Sequence, residues 1–282
     1  MNSKWLTPRR RAVLFMALTA ILWSSSGLLV KIITWHPLSI LSGRSIFSTA
    51  VFWIFLKNPR WGWTRLQIIG ACGYVFAQLF FIMATKLTTA ANAIFLQYTL
   101  PIYLVIFGYW FLNEKPQRAD WISLMAIFSG LLLFFGDNLS LNGISGNILG
   151  ILSGMAMAVL ILCMRKQKDG IPASTILLGN LLGAGIGFPS LLHESFSASN
   201  LCIISYLGIF QIGLSFVLYS IAIKNIQALE SSLILMLEPV LNPLWVFLVI
   251  GECPGRMALI GGSLVIGAVT VRAVISARTS TA

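Results

Sequence analysis

Charge is scarce in this chain. Of its 282 residues only 10% are Asp, Glu, Lys or Arg, and just 8 of these are acidic. A water-soluble domain needs far more polar surface than that, so this class is excluded. Histidine is almost absent. His36 and His193 stand alone, with no HExxH motif and no metal-ligand spacing. There is no GxxxxGK[ST] run, so no phosphate-cradling loop for ATP is encoded. Aspartates do not cluster either, which argues against an enzyme, and no cofactor is called for. The 4 cysteines, Cys72, Cys163, Cys202 and Cys253, are scattered without CxxC spacing. They read as small apolar residues, not as disulfide partners or ligands.

Apolar sequence is what the chain has in quantity. It is 57% hydrophobic with a mean hydropathy of +0.88, and the window from Ala12 to Val30 holds no charge at all. A membrane-crossing helix needs about 20 mostly apolar residues. A barrel would instead show short alternating strands. The fold class expected is therefore all-α integral membrane, with ten transmembrane spans over 12–34, 37–56, 66–85, 89–111, 119–136, 146–164, 172–192, 201–222, 227–250 and 255–276. Turn residues such as Trp35-His36-Pro37, Asn113 to Pro116 and Glu252 to Gly255 separate them. The span 172–192 carries Gly179, Gly183, Gly185 and Gly187, a density suited to close helix packing in lipid. The basic start, Lys4 to Arg11, precedes a run too long for a signal peptide and reads as a retained first helix.

The net charge of +11 does not signal nucleic acid, because no soluble basic segment interleaved with aromatics exists. Lys and Arg sit in short loops instead. With ten spans both termini share one side. Placing them in the cytoplasm puts Lys4, Arg9, Arg10, Arg11, Lys57, Arg60, Arg65, Lys115, Arg118, Arg165, Lys166, Lys168, Lys224, Arg272 and Arg278 inside, against only Lys31, Lys86 and Arg256 outside. That asymmetry is the positive-inside bias.

The chain also repeats itself. Ala84, Lys86, Ala90, Pro101, Glu114 and Pro116 recur as Ala222, Lys224, Ala228, Pro239, Glu252 and Pro254, each pair 138 positions apart. The expected units are 1–138 and 139–282, each with five spans. Five is odd, so the second copy runs the opposite way through the membrane: two inverted five-helix repeats.

Ala84 to Ala91, Pro101, Leu112-Asn113-Glu114 and Ser129-Gly130 resemble the first repeat of the drug/metabolite transporter superfamily, EamA type. Trp23 to Gly27 with Lys31 resembles its first helix, and Pro37 followed by Arg44 its second. Leu237-Glu238-Pro239, Gly251-Glu252 and Gly261-Gly262 resemble its second repeat. Asn113 stands where that family often has glycine. The resemblance implies ten helices, inner termini, a central pathway and small metabolites, amino acids or drugs as cargo.

Candidate site residues follow from polarity inside apolar spans. Glu238 lies near the middle of the ninth span beside Pro239, where a carboxylate costs several kcal/mol unless paired, protonated or wet. It reads either as a proton or ammonium site or as a brace for a broken helix. Glu230, Glu238 and Asn242 share one broad helical face. Trp23 and Ser26, with Thr19, form a stripe on the first span, and Tyr74, Gln78 and Phe81 one on the third. Gln211, Ser215 and Tyr219 form another on the eighth, and the fourth offers Asn92, Thr99 and Tyr103. These fourteen, Thr19 aside, are the expected cavity lining. Arg44, seven residues into the second span, calls for an ion pair or a substrate carboxylate. Glu114 and Glu252 read as caps or tethers, Lys31 and Lys86 as snorkelling cations, and Trp35 and Trp110 as interface anchors.

The expectation is a multi-pass carrier of the cell inner (plasma) membrane with cytoplasmic termini, acting as monomer or homodimer. It would export amino acids or related small organic solutes by alternating access. Energy would come from a gradient, with protons as a candidate coupling ion, or transport would be facilitative. Uptake of a cofactor or nucleotide-like metabolite is the alternative. A membrane-embedded enzyme would need acid, histidine or metal constellations at the interface, and a structural subunit would lack a solvent-accessible central cavity.

Overall fold

A computed structural model describes residues 7–57, 59, 63–88, 90–135, 143–241 and 256–279. Among the described residues every regular element is a helix, and the helices of the second half follow those of the first in the same order, as two five-helix repeats require. Thr7 accepts the Arg10 N–H and Pro8 opens α1, Pro8–Trp23, which is followed by α2, Ser26–Ile32. Pro37 likewise opens α3, Pro37–Leu56. Thr64 and Gln67 form a reciprocal cap at the start of α4, Arg65–Leu87. Then come α5, Ala90–Gln97; α6, Leu100–Leu112; α7, Arg118–Phe135; α8, Ile144–Lys166; and α9, Ala173–Leu191. The eighth span is one rod built of α10, Ala198–Tyr206, a π-helical stretch over Leu207–Leu214 and α11, Ser215–Ala222. Last come α12, Ala228–Leu235, and α13, Arg256–Thr279.

Among the described residues, 7 helices are long and apolar enough to cross a membrane, including Pro8–Ile32 and Ala198–Ala222 taken whole. The expected ninth span runs beyond residue 241, and Asn242 and Glu252 lie outside the described residues.

Packing follows the repeat. α3 lies against α9, and α7 against α13, each pair being a helix and its own counterpart 138 positions on. α4 packs on α8, and the counterpart of α4, the rod Ala198–Ala222, packs through α11 on α1. The neighbour pattern therefore maps onto itself, as a two-fold axis in the membrane plane requires.

Glycine sets how close the helices come. A Cβ at Gly179 would lie 2.5 Å from Tyr74 Cδ1, and one at Gly187 would lie 2.1 Å from the Leu38 carbonyl oxygen. The glycine-rich α9 thus lets α3 and α4 approach backbone to side chain, without room for a methyl group. Trp35 differs from the anchor its position suggested. It is buried, and its indole Nε1 donates to the Ser195 carbonyl at 3.1 Å.

One buried ion pair ties α7 to α13. Arg272 Nε donates to Asp120 Oδ1 at 2.7 Å, and both side chains are almost fully enclosed. Asp120 Oδ2 also accepts the Gln117 N–H and so caps α7. Asp120→Ala strands the guanidinium, and a loss of about 3–5 kcal/mol is expected. Thermal unfolding in detergent should show it. The double change Asp120→Leu with Arg272→Met should recover most of the loss.

Candidate functional site

Two prolines, repeat counterparts, break two helices at mid-membrane. Pro101 removes an N–H that would bond the Gln97 carbonyl, and Pro239 does the same to the Leu235 carbonyl. α5 accordingly ends at Gln97 and α6 starts at Leu100, while α12 ends at Leu235 and helix resumes at Leu237. Each freed carbonyl needs a partner inside the protein. Tyr98, sitting in the first break, supplies one across the repeat interface. Its hydroxyl lies 2.7 Å from the Leu235 carbonyl oxygen and 2.6 Å from Glu238 Oε2. The Gln97 carbonyl instead faces Gly154 of α8, where a Cβ would stand only 2.5 Å from its oxygen.

A chamber opens where the breaks meet. It is small, a partly open cavity of about 40 Å³. Six of the expected residues line it: Trp23, Ser26, Gln78, Phe81, Gln211 and Glu238. Gln97, Tyr98, Leu100, Met157 and Leu235 complete the wall. The polar members are held from behind. Gln97 Nε2 donates to Ser153 Oγ at 2.8 Å, and Ser153 donates to the Ala77 carbonyl. Trp23 Nε1 donates to Ser215 Oγ at 2.7 Å, and the ring stacks on Tyr219 with centroids 6.0 Å apart. Gln78 Oε1 accepts from Arg44 Nη2.

Arg44 is 2% exposed. Its Nε and Nη1 have no hydrogen-bond partner among the described residues, nor does Gln211 Oε1. The structure joins Arg44 to the amide of Gln78 and leaves Glu238 to Tyr98, so these two charges are not paired with each other. Glu238, with one hydroxyl partner, and Gln211 give the chamber wall acceptors, while Arg44 with its open donors is buried behind Gln78 and is not itself part of the wall.

The other expected residues lie around the chamber or away from it. Tyr74 donates to Asn180 Oδ1 at 2.8 Å and meets Phe216 edge-on. Ser215 and Tyr219 stand behind Trp23. Thr99 donates back to the Leu96 carbonyl inside the first break. Tyr103 borders a separate apolar groove between α4, α6 and α8. Asn92 binds Asn147 of α8, and Glu230 binds Arg9 of α1, at opposite ends of the bundle. Lys31 and Lys86 do not simply reach out to water: Lys31 donates to the Thr85 and Thr88 carbonyls, and Lys86 to that of Ile33.

Two stretches of the chain, residues 10–136 and 144–273, each match the sequence profile of the EamA-like transporter family. The chain belongs to that family. It is a multi-pass membrane transporter, not an enzyme, and the drug/metabolite superfamily resemblance holds over both halves. An uncharacterized transporter of Archaeoglobus fulgidus is 23% identical, over 91% of this chain and 95% of its own length. One from Clostridium kluyveri is 22% identical over 86% of each chain. The uncharacterized transporter YdfC of Bacillus subtilis is 25% identical over 72% of this chain and 68% of its own. A solved crystal structure shares the fold, with a TM-score of 0.79 at 20% identity, over 95% of this chain and 99% of that one.

Within this EamA-like transporter, Tyr98 and Gln97 are the site residues that stripe counting missed. Gln97 ends α5 and Tyr98 sits in the break, where helical periodicity no longer assigns a face. The signal that would have found them is the pair of positions four and three residues before Pro101, where a carbonyl is freed and the helix gives way. Tyr98→Phe should leave the Leu235 carbonyl without that donor and cost about 1–3 kcal/mol. A fall in the melting temperature of the purified protein checks it, and an unchanged value would mean water or another donor replaces the hydroxyl.

Proposed function

We propose that this EamA-like transporter moves small zwitterionic organic solutes, amino acids foremost, out of the cell by alternating access. The observation that supports this is the Glu238 carboxylate in the chamber wall together with Arg44, buried one residue behind the wall on Gln78 and with donors to spare. An ammonium group matches the first and a carboxylate the second, and burial makes each match discriminating. Trp23 and Phe81 give an apolar wall for a side chain. Of the fourteen residues expected from sequence, Trp23, Ser26, Gln78, Phe81, Gln211 and Glu238 serve as substrate contacts, and Tyr74, Ser215 and Tyr219 as their supports.

The excess of Lys and Arg in the loops on one side supports cytoplasmic termini in a plasma-membrane protein. The halves 1–138 and 139–282 act as the two moving units. Glu238 is also the group through which a proton would couple, since a buried carboxylate binds either an ammonium or a proton.

In liposomes loaded with labelled amino acids, the protein should carry neutral zwitterions. Glu238→Gln should lower kcat/KM at least about tenfold and flatten any dependence on a pH gradient. Arg44→Gln should raise KM about tenfold for solutes bearing a carboxylate, yet leave simple amines unaffected. Equal loss for amines and amino acids in the Arg44 variant would make Arg44 structural. Wild-type flux in both variants would remove the zwitterion reading.

A further inference from the structure

The two helices of the broken fourth span take different neighbours. α5 packs on α4 and α8, whereas α6 packs on α8 and α12. Past the break α6 stands off α4, and an apolar groove of about 500 Å³ lies between them with α8 as its floor. Ala158, Leu162 and Cys163 of α8 are buried at the bottom. Ile69 of α4 and Phe107 and Trp110 of α6 form the sides and are exposed, Trp110 to 78%. The groove runs along α6 from Tyr103 to Phe111, about 12 Å at about 1.5 Å per residue. That is most of one leaflet, since the whole hydrocarbon core is about 30 Å thick. Its deep end lies near the break, and its other end lies where α6 and α8 finish.

We propose that this groove holds the acyl chain of an anionic phospholipid whose phosphate rests on Lys166 and Arg65. A concave apolar cleft facing lipid has to be filled, because its lining otherwise forfeits dispersion contacts. Water does not fill it, since a buried water needs roughly two to four polar partners and these walls are apolar and aromatic. A hydrocarbon chain suits every surface there. The rim supplies the charge. Lys166 Nζ donates to the Phe111 carbonyl at 3.0 Å and lies 5.7 Å from the centre of the Phe111 ring, which itself lines the groove. An ammonium has three N–H donors, so phosphate oxygens can take the others. Arg65 is exposed at the first residue of α4, beside Leu66 of the groove wall. The helix dipole opposes a cation at that end, so α4 itself is not what Arg65 stabilises. Exposed Lys168 adds positive charge and exposed Asp169 offsets it, while Glu114 is taken by Arg165. The rim keeps a positive balance, and each Lys or Arg at headgroup level favours an anionic lipid over a neutral one about fivefold. The tip of the bound chain meets Tyr103, one turn from Leu100 of the chamber wall, so the lipid props the break that shapes the chamber.

The test uses the full chain in neutral detergent, with a photoreactive phosphatidylglycerol carrying a diazirine at the end of one acyl chain. Cross-links should map to Tyr103 and Met155, at the deep end of the groove. Unlabelled phosphatidylglycerol should compete about tenfold better than phosphatidylcholine with the same chains. Lys166→Gln with Arg65→Gln should abolish that preference and keep the cross-linked positions. Met155→Trp, which fills the groove from an exposed position, should lose the cross-link. Mapping and competition on the parent need no substitution, so they decide the matter where a variant fails to fold. Equal competition by the two lipids, or cross-links spread evenly over the lipid-facing helices, overturns the site. Competition by glycerol phosphate without chains makes the rim a place for free phosphate and overturns the lipid. None of these readouts involves transport, so the lipid site and the zwitterion reading stand or fall separately.

Discussion

Inside lipid a main-chain carbonyl without a donor is heavily penalised, and Pro101 and Pro239 each create one near the middle of the membrane. Much of the centre of this molecule answers that demand. Tyr98 leaves its own half to reach the Leu235 carbonyl, and in doing so meets Glu238. Gly154 has no side chain, so the Gln97 carbonyl can come down onto α8. The chamber forms where these repairs leave space and polar atoms together. Its polarity is thus tied to the helix breaks that shape it.

The same logic explains which parts of the site could be read from the amino acids. Helix number, the inverted repeat and the paired breaks were legible because long apolar runs and an ungapped 138-residue offset survive in the chain. Trp23, Ser26, Gln78, Phe81, Gln211 and Glu238 were legible as chamber wall because a polar or aromatic stripe on a regular helix points one way. Tyr98 was not, since a residue in a break belongs to no stripe. Nor were the partners of Arg44 and Glu238. Both charges sit at plausible depths for each other, and only the packing of α3 on α4 sends Arg44 to Gln78.

Symmetry organises the molecule, and departures from it are where the two halves differ in chemistry. Glu114 accepts from the Ala228 N–H at the start of α12 and from Arg165 Nε, fastening three helices at one face. Position 27, the counterpart of Arg165, is a glycine, so the basic half of that fastening has no partner in the other repeat. α1 and α2 are interrupted around Ser24 and Ser25, whereas their counterpart α8 is continuous. The fold tolerates this because the α3–α9 and α7–α13 contacts near the axis keep the two units aligned.

The π-helical stretch Leu207–Leu214 lets one rod serve two orientations. Gln211 looks into the chamber, while Ser215 and Tyr219 one and two turns later hold Trp23 from behind. In a rod of uniform pitch these would keep a fixed angular relation of about 100° per residue. The wider turn slips that phase by the space of one extra residue. Gly208 and Gly213 make the swelling fit, since a Cβ at Gly208 would stand 2.5 Å from Phe47 Cβ and one at Gly213 2.9 Å from Val51 Cγ2. Removing a single residue from this stretch would restore even winding and swing everything downstream around the axis, so the register of Trp23 with its support is stored as one surplus amino acid in a facing helix.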